Sequence, residues 1–293
     1  MLRPEDNELL TRVGPETPMG RLLRRFWLPA LLEEELAGPD SDPVKLRLLG
    51  EDLVAFRDTD GAIGFLDAHC PHRRSNLYFG RNEEHGLRCV YHGWKFDVRG
   101  QCVDMPSEPA ESSFKDKIKT RSYPNRIFGG VVWIYMGPPE LLPELPDFEW
   151  ARLPRSRSIV TKRVQPCNWA QAVEGGIDSS HISYLHRNLA DLNPETAGRG
   201  HRSYTSRDRS PVFFVQETDY GLRIGARRNA TEESFYWRIT QFLVPIYTMI
   251  PPILRGEVDN SSEDTYAGHA WVPIDDENTW TWSFNCNPHR DFN

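Results

Sequence analysis

The pattern of apolar and polar residues divides the chain into a short helical start and two longer regions rich in strands. In residues 1–40, apolar side chains recur at helical spacing until Pro29 interrupts them. From Val44 the apolar period changes to two, which predicts short strands with Asp60-Gly61 as a hairpin turn, in the segments "VKLRLLG", "DLVAFRD" and "AIGFLDA". A further strand is predicted for "GGVVWIYMG" at 129–137. The first half therefore predicts a sheet-rich unit behind a partly helical segment.

The second half begins after a proline-rich stretch, "PPELLPELPDFEW", which predicts a linker. The segment "NWAQAVEGGIDSSHISYLHRNL" at 168–189 is the one clearly helical stretch. Strand-like segments joined by short turns follow it and predict an antiparallel sheet: "PVFFVQE", "LRIGARR", "SFYWRITQFLVPIYTMI", "TYAGHAWVPI" and "TWTWSFNC". We place a domain boundary near residue 150 and predict an α+β fold in three parts: 1–43, 44–150 and 151–293.

Composition limits the class of protein. The chain has 293 residues, of which 39% are apolar, and a net charge of −7, which argues against nucleic acid as a partner. The longest apolar stretch, near 242–254, is interrupted by prolines and is too short for a membrane span. No secretory leader is visible, and five cysteines in such a chain favour a reducing compartment, so a cytoplasmic location is expected.

Two cysteine–histidine pairs carry the first candidate chemistry. Cys70 and His72 are separated by one residue, Cys89 and His92 by two, and sixteen residues lie between the pairs. Structural zinc sites usually combine like spacings, such as two C-x₂₋₄-C pairs. One thiolate and one imidazole from each loop suit a Rieske [2Fe–2S] cluster, in which one iron takes both cysteines and the other both histidines. Zinc remains the alternative, and Cys102, Cys167 and Cys286 are interpreted as small buried side chains.

The second candidate site lies in the helical stretch. Asp178, His181 and His186 follow the pattern D-x₂-H-x₄-H, with Glu174, Asp178 and His181 on one helical face. His186 is about 140° round the helix from His181, so both bind one metal only if the helix is distorted, as at a π-bulge. Ordinary hydrogen bonding is the alternative for two such histidines. Behind a Rieske unit we favour an iron site with two histidines and one carboxylate.

The chain resembles the Rieske non-haem iron oxygenases in "CPHR" at 70–73, "CVYHGW" at 89–94 and the D-x₂-H-x₄-H motif. The opening "PEDNELLTRVGPETPMGRLLRRFWLPAL" and the stretch "VYHGWKFDVRGQCVDMPSEP" resemble the oxygenase component of the phthalate 4,5-dioxygenase group. The resemblance implies a Rieske β-sandwich domain at 44–150 and a mononuclear-iron catalytic domain at 151–293, with antiparallel sheet and helices. The segment 1–43 would then be helical and pack on the catalytic domain.

The resemblance also implies roles for individual residues. Cys70, His72, Cys89 and His92 would hold the cluster, His181 and His186 would bind the iron, and Asp178 would couple the two centres. Asn168 falls where the family keeps an asparagine near the iron. The family's third iron ligand is an aspartate on a later helix, and no such helix is visible before residue 293. We therefore expect the chain to lack that C-terminal part, and we assign no ligand role to its available acids, Asp264, Asp275, Asp276 and Asp291.

The implied function is hydroxylation or O-demethylation of an aromatic acid of phthalate or methoxybenzoate type with O₂. No dinucleotide or flavin fingerprint occurs, so a separate NAD(P)H-dependent reductase would supply electrons. The family transfers electrons between subunits, which implies a homo-oligomer, commonly a trimer. An excess of basic residues between 70 and 100 could steer an acidic reductase, or could simply be solvated. The alternative function is electron transfer without oxygenase activity.

A substrate carboxylate would need a cation in its pocket. Arg238 is flanked by apolar residues in "FYWRITQF", and Arg207 lies in a polar loop after the helical stretch. A bidentate arginine–carboxylate pair would explain such a placement. The alternative for Arg238 is an arginine at a sheet edge or an interface. Ser179, next to Asp178, could add a hydrogen bond to the substrate.

Overall fold

The computed structural model describes residues 2–109, 111–186, 202–253 and 265–292. In these ranges the chain forms α1 (Pro4–Thr11), α2 (Pro18–Leu23), α3 (Glu149–Arg152), α4 (Trp169–Ile177) and α5 (Arg202–Arg207). None of these helices is long and apolar enough to cross a membrane. Most of the regular structure is strand, and the predicted α+β class is confirmed.

The first half of the chain contains three small antiparallel sheets. One pairs β1 (Trp27–Leu32) with β10 (Val131–Tyr135) and β9 (Asn125–Phe128), and a second contains β2 (Val44–Leu48), β3 (Glu51–Arg57) and β4 (Ile63–Asp67). The third contains β5 (Arg81–Glu83), β6 (Gly86–Arg88), β7 (Lys95–Phe96) and β8 (Cys102–Asp104). The loop with Cys70 and His72 follows β4, and the loop with Cys89 and His92 connects β6 to β7.

The second half is built on one seven-stranded antiparallel sheet in the order β11-β17-β16-β15-β14-β13-β12. Its strands are β11 (Ser158–Gln165), β12 (Val212–Thr218), β13 (Gly221–Asn229), β14 (Phe235–Leu243), β15 (Tyr247–Ile253), β16 (Thr265–Pro273) and β17 (Thr279–Cys286). Helix α4 lies across the face of β14, β15 and β16. Gly176 allows this close approach, because a Cβ atom there would lie 2.8 Å from the Trp271 ring.

The N-terminal segment differs from its prediction. Residues 27–32, which carry part of the helical apolar spacing, form strand β1, and α2 ends at Leu23. Because Pro29 has no backbone N–H, it fits a strand better than a helix interior, and the register shifts between Pro29 and Leu31. Pairing with β10, all of whose residues are buried, thus outweighs the local helical pattern.

Backbone and side-chain bonds join the two halves of the chain. The N–H groups of Leu49 and Gly50 donate to the carbonyl oxygens of Pro273 and Ile274, each at 2.9 Å. Arg12 pairs with Asp276 at 3.0 Å, and the Lys162 ammonium contacts Glu35 at 2.5 Å. One hydrophobic core also runs through both halves, from Leu28 and Trp133 to Trp282. The two halves are therefore packed as one body at this contact.

Candidate redox and metal-binding sites

The two Cys/His pairs lie on two loops whose backbones are fixed by local hydrogen bonds. Cys70 follows β4, its N–H donates to the Ser75 carbonyl at 2.9 Å, and its own carbonyl accepts from Arg74 N–H at 2.9 Å. Cys89 directly follows β6, at the start of the loop that leads to β7, and its N–H donates to the Trp94 carbonyl at 2.9 Å. Each loop is therefore shaped by the backbone around its own cysteine.

The loops bury the two cysteines and bring the two partly exposed histidines together. Cys70 and Cys89 are only 1% and 3% exposed. Burial, together with the neighbouring Cys89 thiol, raises the pKa of the Cys70 thiol to about 11, although backbone N–H groups of the loop donate to its sulfur. The rings of His72 and His92 lie 4.5 Å apart between centroids, and His72 stacks on Trp94 at 4.4 Å.

This arrangement fits a binuclear cluster better than one zinc ion. In the parts of the chain that the structure describes, no group of three or more Cys, His, Asp or Glu side chains is placed to bind one metal ion. A structural zinc would need four ligands round one centre. Two thiols on one side and two imidazoles on the other match a [2Fe–2S] cluster in which each iron takes a like pair.

Gly93 closes the second loop and cannot be replaced without strain. Its φ is +74°, a left-handed conformation, and its N–H donates to the Cys89 carbonyl at 3.1 Å. A Cβ atom at this position would lie 2.6 Å from Pro106. The glycine therefore lets the tip of the hairpin turn tightly against the neighbouring chain.

The basic residues around these loops are partly used inside the fold. Arg88 donates to Glu83 at 2.6 Å, to Asp104 at 2.7 Å and to the Gly93 carbonyl at 2.8 Å, so it braces the hairpin. Lys95 is buried and pairs with Glu84 at 3.0 Å. Arg73, Arg74, Arg81 and Arg99 are the exposed members of the set. Two of these four lie near acids, Arg74 at 3.8 Å from Asp67 and Arg81 at 3.1 Å from Glu83, so the exposed positive charge of these loops is small.

Asp178 organises the second candidate site, but on a turn instead of the predicted helix. Helix α4 ends at Ile177, Asp178 is extended, and a 3₁₀ turn follows at His181–Ser183. The Asp178 carboxylate accepts from the N–H groups of Ser180 at 2.8 Å and His181 at 3.1 Å. An aspartate that bonds nearby backbone in this way competes with helix continuation. The sequence predicted a distorted helix here, for example at a π-bulge, and the structure has a helix end followed by a turn instead.

The same carboxylate also orients an imidazole. Nδ1 of His181 lies 3.0 Å from Oδ2 of Asp178, and the His181 and His186 rings are 5.1 Å apart between centroids. Burial opposes ionisation of Asp178, but the N–H groups of Ser180 and His181 and the His181 ring outweigh it and lower its pKa. An ionised Asp178 bonded to Nδ1 leaves Nε2 of His181 to bind a metal, so the pair fits a histidine-ligated iron.

The acids considered as a third ligand are engaged elsewhere or not described. Asp275 accepts from Glu277 and Asn278 N–H groups at 3.0 and 2.9 Å in the turn before β17. Asp276 binds Arg12, and Asp291 binds Arg157 at 2.8 Å. Asp264 lies outside the described residues. None of the three described acids is available to the histidine pair.

Asn168 lies at the start of α4, ahead of the second candidate site. It is the N-cap of α4, where its side-chain oxygen accepts from Ala170 N–H at 3.0 Å. Its side-chain N–H₂ donates to the carbonyl oxygens of Thr11 at 3.0 Å and Asp276 at 2.7 Å. Nine helical residues lie between Asn168 and Asp178, so the two are about 15 Å apart along the helix axis. The structure thus gives Asn168 a capping role at the start of α4, and its placement near the iron stays a prediction.

The three predicted substrate residues have different surroundings. Ser179 is 2% exposed, and its Oγ has no hydrogen-bond partner within the described ranges. Arg238 is half-buried on β14 opposite Ala226, and its Nε also lacks a partner there. Arg207 is exposed at the end of α5. Ser179 and Arg238 thus offer buried polar atoms to a ligand, whereas Arg207 would have to reach it from the surface.

Two further polar side chains were not predicted. Arg228 on β13 is 1% exposed and lies on the sheet face of Arg238, because Ala226 is its second neighbour along the strand and pairs with Arg238. His269 on β16 has a buried Nδ1 without a described partner, and burial lowers its pKa. No sequence signal marked Arg228, since it lies between Arg227 and Asn229 and the turn that it contacts is distant in sequence. His269 is flanked by Gly268 and Ala270 in a predicted strand, which marks it only as a polar strand residue.

Comparisons with known proteins agree with this geometry. Residues 26–124 match the Rieske [2Fe-2S] domain, and residues 134–289 match the family described as LigXa C-terminal domain like. The first match contains both Cys/His pairs. The second contains Asp178, His181 and His186, together with most of the seven-stranded sheet.

Relatives of known function and solved structures extend the likeness. The chain is 45% identical over 95% of its length to a phthalate 4,5-dioxygenase oxygenase subunit of Pseudomonas putida. It is 43% identical over 97% of its length to a 3-chlorobenzoate-3,4-dioxygenase oxygenase subunit of Comamonas testosteroni. It spans 63% of the length of each of these relatives. The crystal structure of dicamba monooxygenase with 3,6-dichlorosalicylic acid shares the fold, with a TM-score of 0.70, 22% identity, and coverage of 91% of this chain and 78% of that one.

Proposed function

Because this chain belongs to the family that joins a Rieske [2Fe–2S] domain to a LigXa-like C-terminal domain, we propose that it is the oxygenase component of a multicomponent Rieske oxygenase. Its substrate is an aromatic acid of phthalate or methoxybenzoate type, hydroxylated or O-demethylated with O₂. The observation that carries the proposal is the presence of two separate metal-binding arrangements in one chain, a Cys₂His₂ pocket and a carboxylate-oriented histidine pair. The names of the relatives support the substrate class.

When bound, the [2Fe–2S] cluster supplies single electrons and the mononuclear iron supplies the centre at which O₂ is activated. Cys70 and Cys89 would hold the inner iron of the cluster, and His72 and His92 the outer one. The outer position of the imidazoles brings the exposed Tyr91 against His92, with ring centroids 3.9 Å apart. The histidine side is therefore the side through which a redox partner would contact the cluster.

In the catalytic half, His181 and His186 would bind the iron, and Asp178 would hold the tautomer of His181 by accepting its Nδ1–H. The overall reaction uses one O₂, two electrons and two protons. Dioxygenation leaves both oxygen atoms in a cis-dihydrodiol. Hydroxylation or demethylation leaves one in the product, as a hydroxylated acid or as a phenol with formaldehyde, and releases the other as water. NAD(P)H is oxidised by a separate reductase.

Substrate recognition would use the buried polar atoms beside the turn. Arg238 would bind the substrate carboxylate through its unpartnered Nε and a terminal nitrogen, as a planar fork. Ser179 would donate its buried hydroxyl. Arg207 would contribute only if the α5 end moves over the site, because it is exposed.

A homo-oligomer, such as a trimer, is part of the proposal. Exposed apolar side chains flank both sites: Val90 and Tyr91 at the cluster hairpin, and Tyr184 and Leu185 between the two histidines. Tyr184 and Leu185 are 76% and 75% exposed. A head-to-tail contact between unlike surfaces of this kind closes into a ring when the rotation is favourable. Analytical ultracentrifugation of the purified chain measures the assembly directly.

Iron content and oxygen uptake test the proposed function together. An oxygenase should carry iron beyond the two of the cluster, whose EPR signal should show nitrogen ligation. The additional iron should depend on His181 and His186 and should be weakly held without the third ligand. With a reductase and NADH, an aromatic acid should stimulate oxygen uptake with matching product formation. A colourless zinc protein, or uptake that no aromatic acid stimulates, would contradict the proposal.

Electron transfer without oxygenase activity is the second candidate. It is favoured by one observation, that the described residues place no third carboxylate or imidazole with His181 and His186. Two irons per chain in both the unsubstituted protein and His186→Ala would support this candidate. Three irons, with the third lost in His186→Ala, would exclude it.

A further inference from the structure

The turn that carries Asp178 and His181 is held against the sheet by one buried arginine. Nη2 of Arg228 donates to the carbonyl oxygen of Ser179 at 2.6 Å and lies 3.3 Å from the hydroxyl of Ser183. Ser179 precedes His181 and Ser183 follows it. A single guanidinium nitrogen therefore contacts the turn on both sides of a proposed iron ligand.

The same guanidinium also contacts the end of α5. Nε of Arg228 donates to the carbonyl oxygen of Asp208 at 3.1 Å. The Asp208 carboxylate in turn accepts from the backbone and side-chain N–H groups of Asn229 at 2.7 and 2.9 Å. Strand β13, the end of α5 and the ligand turn, which are far apart in sequence, thus converge on Arg228.

A buried cation at this position is not explained by packing alone. Arg228 is 1% exposed, and among the described residues its acceptors are carbonyl and hydroxyl oxygens, with no carboxylate in direct contact. Burial, and then the charge of Arg238, lower the pKa of Arg228. A well-packed apolar side chain in such a site is often equally stable or more stable. The planar fork, however, can donate in several fixed directions at once, which neither methionine nor lysine can do.

We propose that Arg228 is a positioning residue for the mononuclear iron: by fixing Ser179 and Ser183, it sets the separation and orientation of His181 and His186. This inference rests on the proposed function, since it assumes that the two histidines bind iron. Ser183 lies between them in sequence, two residues after the first and three before the second. Release of its contact would therefore let the second histidine drift relative to the first.

The test measures metal affinity instead of turnover. Co²⁺ replaces iron in histidine sites and has absorption bands that report its coordination, so it can be titrated into protein that already carries the [2Fe–2S] cluster. Arg228→Met should weaken Co²⁺ binding by about 10- to 100-fold, the usual effect of losing a group that orients ligands. Arg228→Lys should weaken it less. Cluster absorbance should be unchanged in both variants.

Arg227→Met is the matched control. Arg227 is the preceding residue of β13 and points to the other face, where its guanidinium lies 5.5 Å from the Phe214 ring centroid and 4.4 Å from that of Phe235. The substitution Arg227→Met removes a partly buried arginine from the same strand and leaves the contacts of the turn in place. Co²⁺ affinity in this variant should equal that of the unsubstituted protein, and His186→Ala should abolish the signal.

Ser183→Ala keeps the inference testable if Arg228→Met does not fold. It removes one hydroxyl contact and should give a smaller loss of affinity with an altered Co²⁺ spectrum. Unchanged affinity and spectrum in both Arg228→Lys and Ser183→Ala would overturn the role of Arg228 and leave the proposed function intact. Absence of any His186-dependent Co²⁺ signal in the unsubstituted protein would instead remove the iron site, and the inference with it.

Discussion

The two candidate metal sites are built in opposite ways. The Cys₂His₂ pocket uses residues 70–94, and each loop is closed by hydrogen bonds within a few residues of its own cysteine. The histidine site takes Asp178, His181 and His186 from one turn but depends on Arg228 from a strand more than forty residues away. The first site is a local motif, whereas the second is completed by the tertiary fold.

This difference determines what a change in each region should do. In the first pocket the two cysteine ligands are only 1% and 3% exposed. Loss of one of them therefore removes a metal–ligand bond in the protein interior. In the second, His181 and Asp178 are partly exposed, with 29% and 40% of their side chains accessible, and orientation is the critical property. We therefore expect a ligand substitution in the first site to abolish cluster binding, and a substitution in the second site to weaken its function gradually.

The largest effect is expected for Cys89→Ser, because a neutral hydroxyl does not replace a buried thiolate as an iron ligand. The visible absorbance and EPR signal of the cluster should be lost entirely, with Co²⁺ binding at the histidine site retained. Cys102→Ser is the control, since Cys102 is buried in the same apolar cluster but donates only to the Asp104 carbonyl. A cluster that survives in Cys89→Ser would contradict the ligand assignment.

A smaller and more selective effect is expected for Asp178→Asn. The amide keeps the shape of the carboxylate but loses its charge and one acceptor, so the His181 tautomer is no longer fixed. Both centres should load and the cluster should still be reduced, while the rate at which substrate and O₂ reoxidise the cluster falls by about 100-fold. Single-turnover stopped-flow measurements follow this step. A wild-type rate would mean that Asp178 only shapes the turn.

A moderate effect is expected on the stability of the first half of the chain, where Glu51 lies in β3. Burial opposes ionisation of Glu51, but hydrogen bonds from Tyr123 at 2.5 Å and from Arg24 and Arg121 at 2.8 Å outweigh it and lower its pKa below 4.5. Its contribution to stability is therefore present above the unfolded-state value of 4.5 and is lost as the pH falls through the lower folded value.

Glu51→Gln should accordingly lower the free energy of unfolding at neutral pH by about 2 kcal/mol, because the buried Arg24 loses its counter-charge. The acid-side fall in stability should also become shallower. Denaturant unfolding between neutral pH and about pH 3 measures both quantities. Glu16→Gln, with a side chain 88% exposed, should change neither. An equally steep fall in Glu51→Gln would assign the acid sensitivity to other carboxylates.

The smallest effect is expected beside the second site. Gly175 is inside α4, and a Cβ atom there meets nothing within 4 Å, so Gly175→Ala should stabilise the protein by about 0.5–1 kcal/mol. Gly176→Ala, one position along, should destabilise it because its Cβ would meet Trp271 at 2.8 Å. Thermal unfolding of the two variants should therefore shift in opposite directions. A shift in the same direction would show that α4 is not seated on Trp271.

The same local and non-local contrast explains what the sequence could predict. Strands β2, β3, β4 and β10, and the strands from β12 to β17, follow alternating or apolar runs and were predicted, with β14 and β15 as one continuous segment. The Cys/His pairs were identified because their spacing alone carries the chemistry. Strand β1 was missed because its apolar residues also fit a helix, and only pairing with β10 decides between the two.

In the second site, the chemistry of the turn was predicted but its geometry was not. The histidine spacing indicated a distorted helix, yet the break arises from hydrogen bonds of the Asp178 side chain that no period reveals. Asn168 was placed by resemblance, and its bonds to Thr11 and Asp276 depend on a contact across most of the chain. Arg228 could not be identified, because its acceptors lie twenty and more residues away.

The bonds from Leu49 and Gly50 to Pro273 and Ile274 have a consequence for how electrons can travel. They join the half with the Cys/His pairs to the half with the histidine pair through backbone hydrogen bonds, and Arg12 and Lys162 add ion pairs to the contact. Under the proposed function, the cluster therefore keeps its position relative to the histidine pair of its own chain. Electron transfer over a shorter distance would then require a second copy of the chain, which the proposed homo-oligomer supplies.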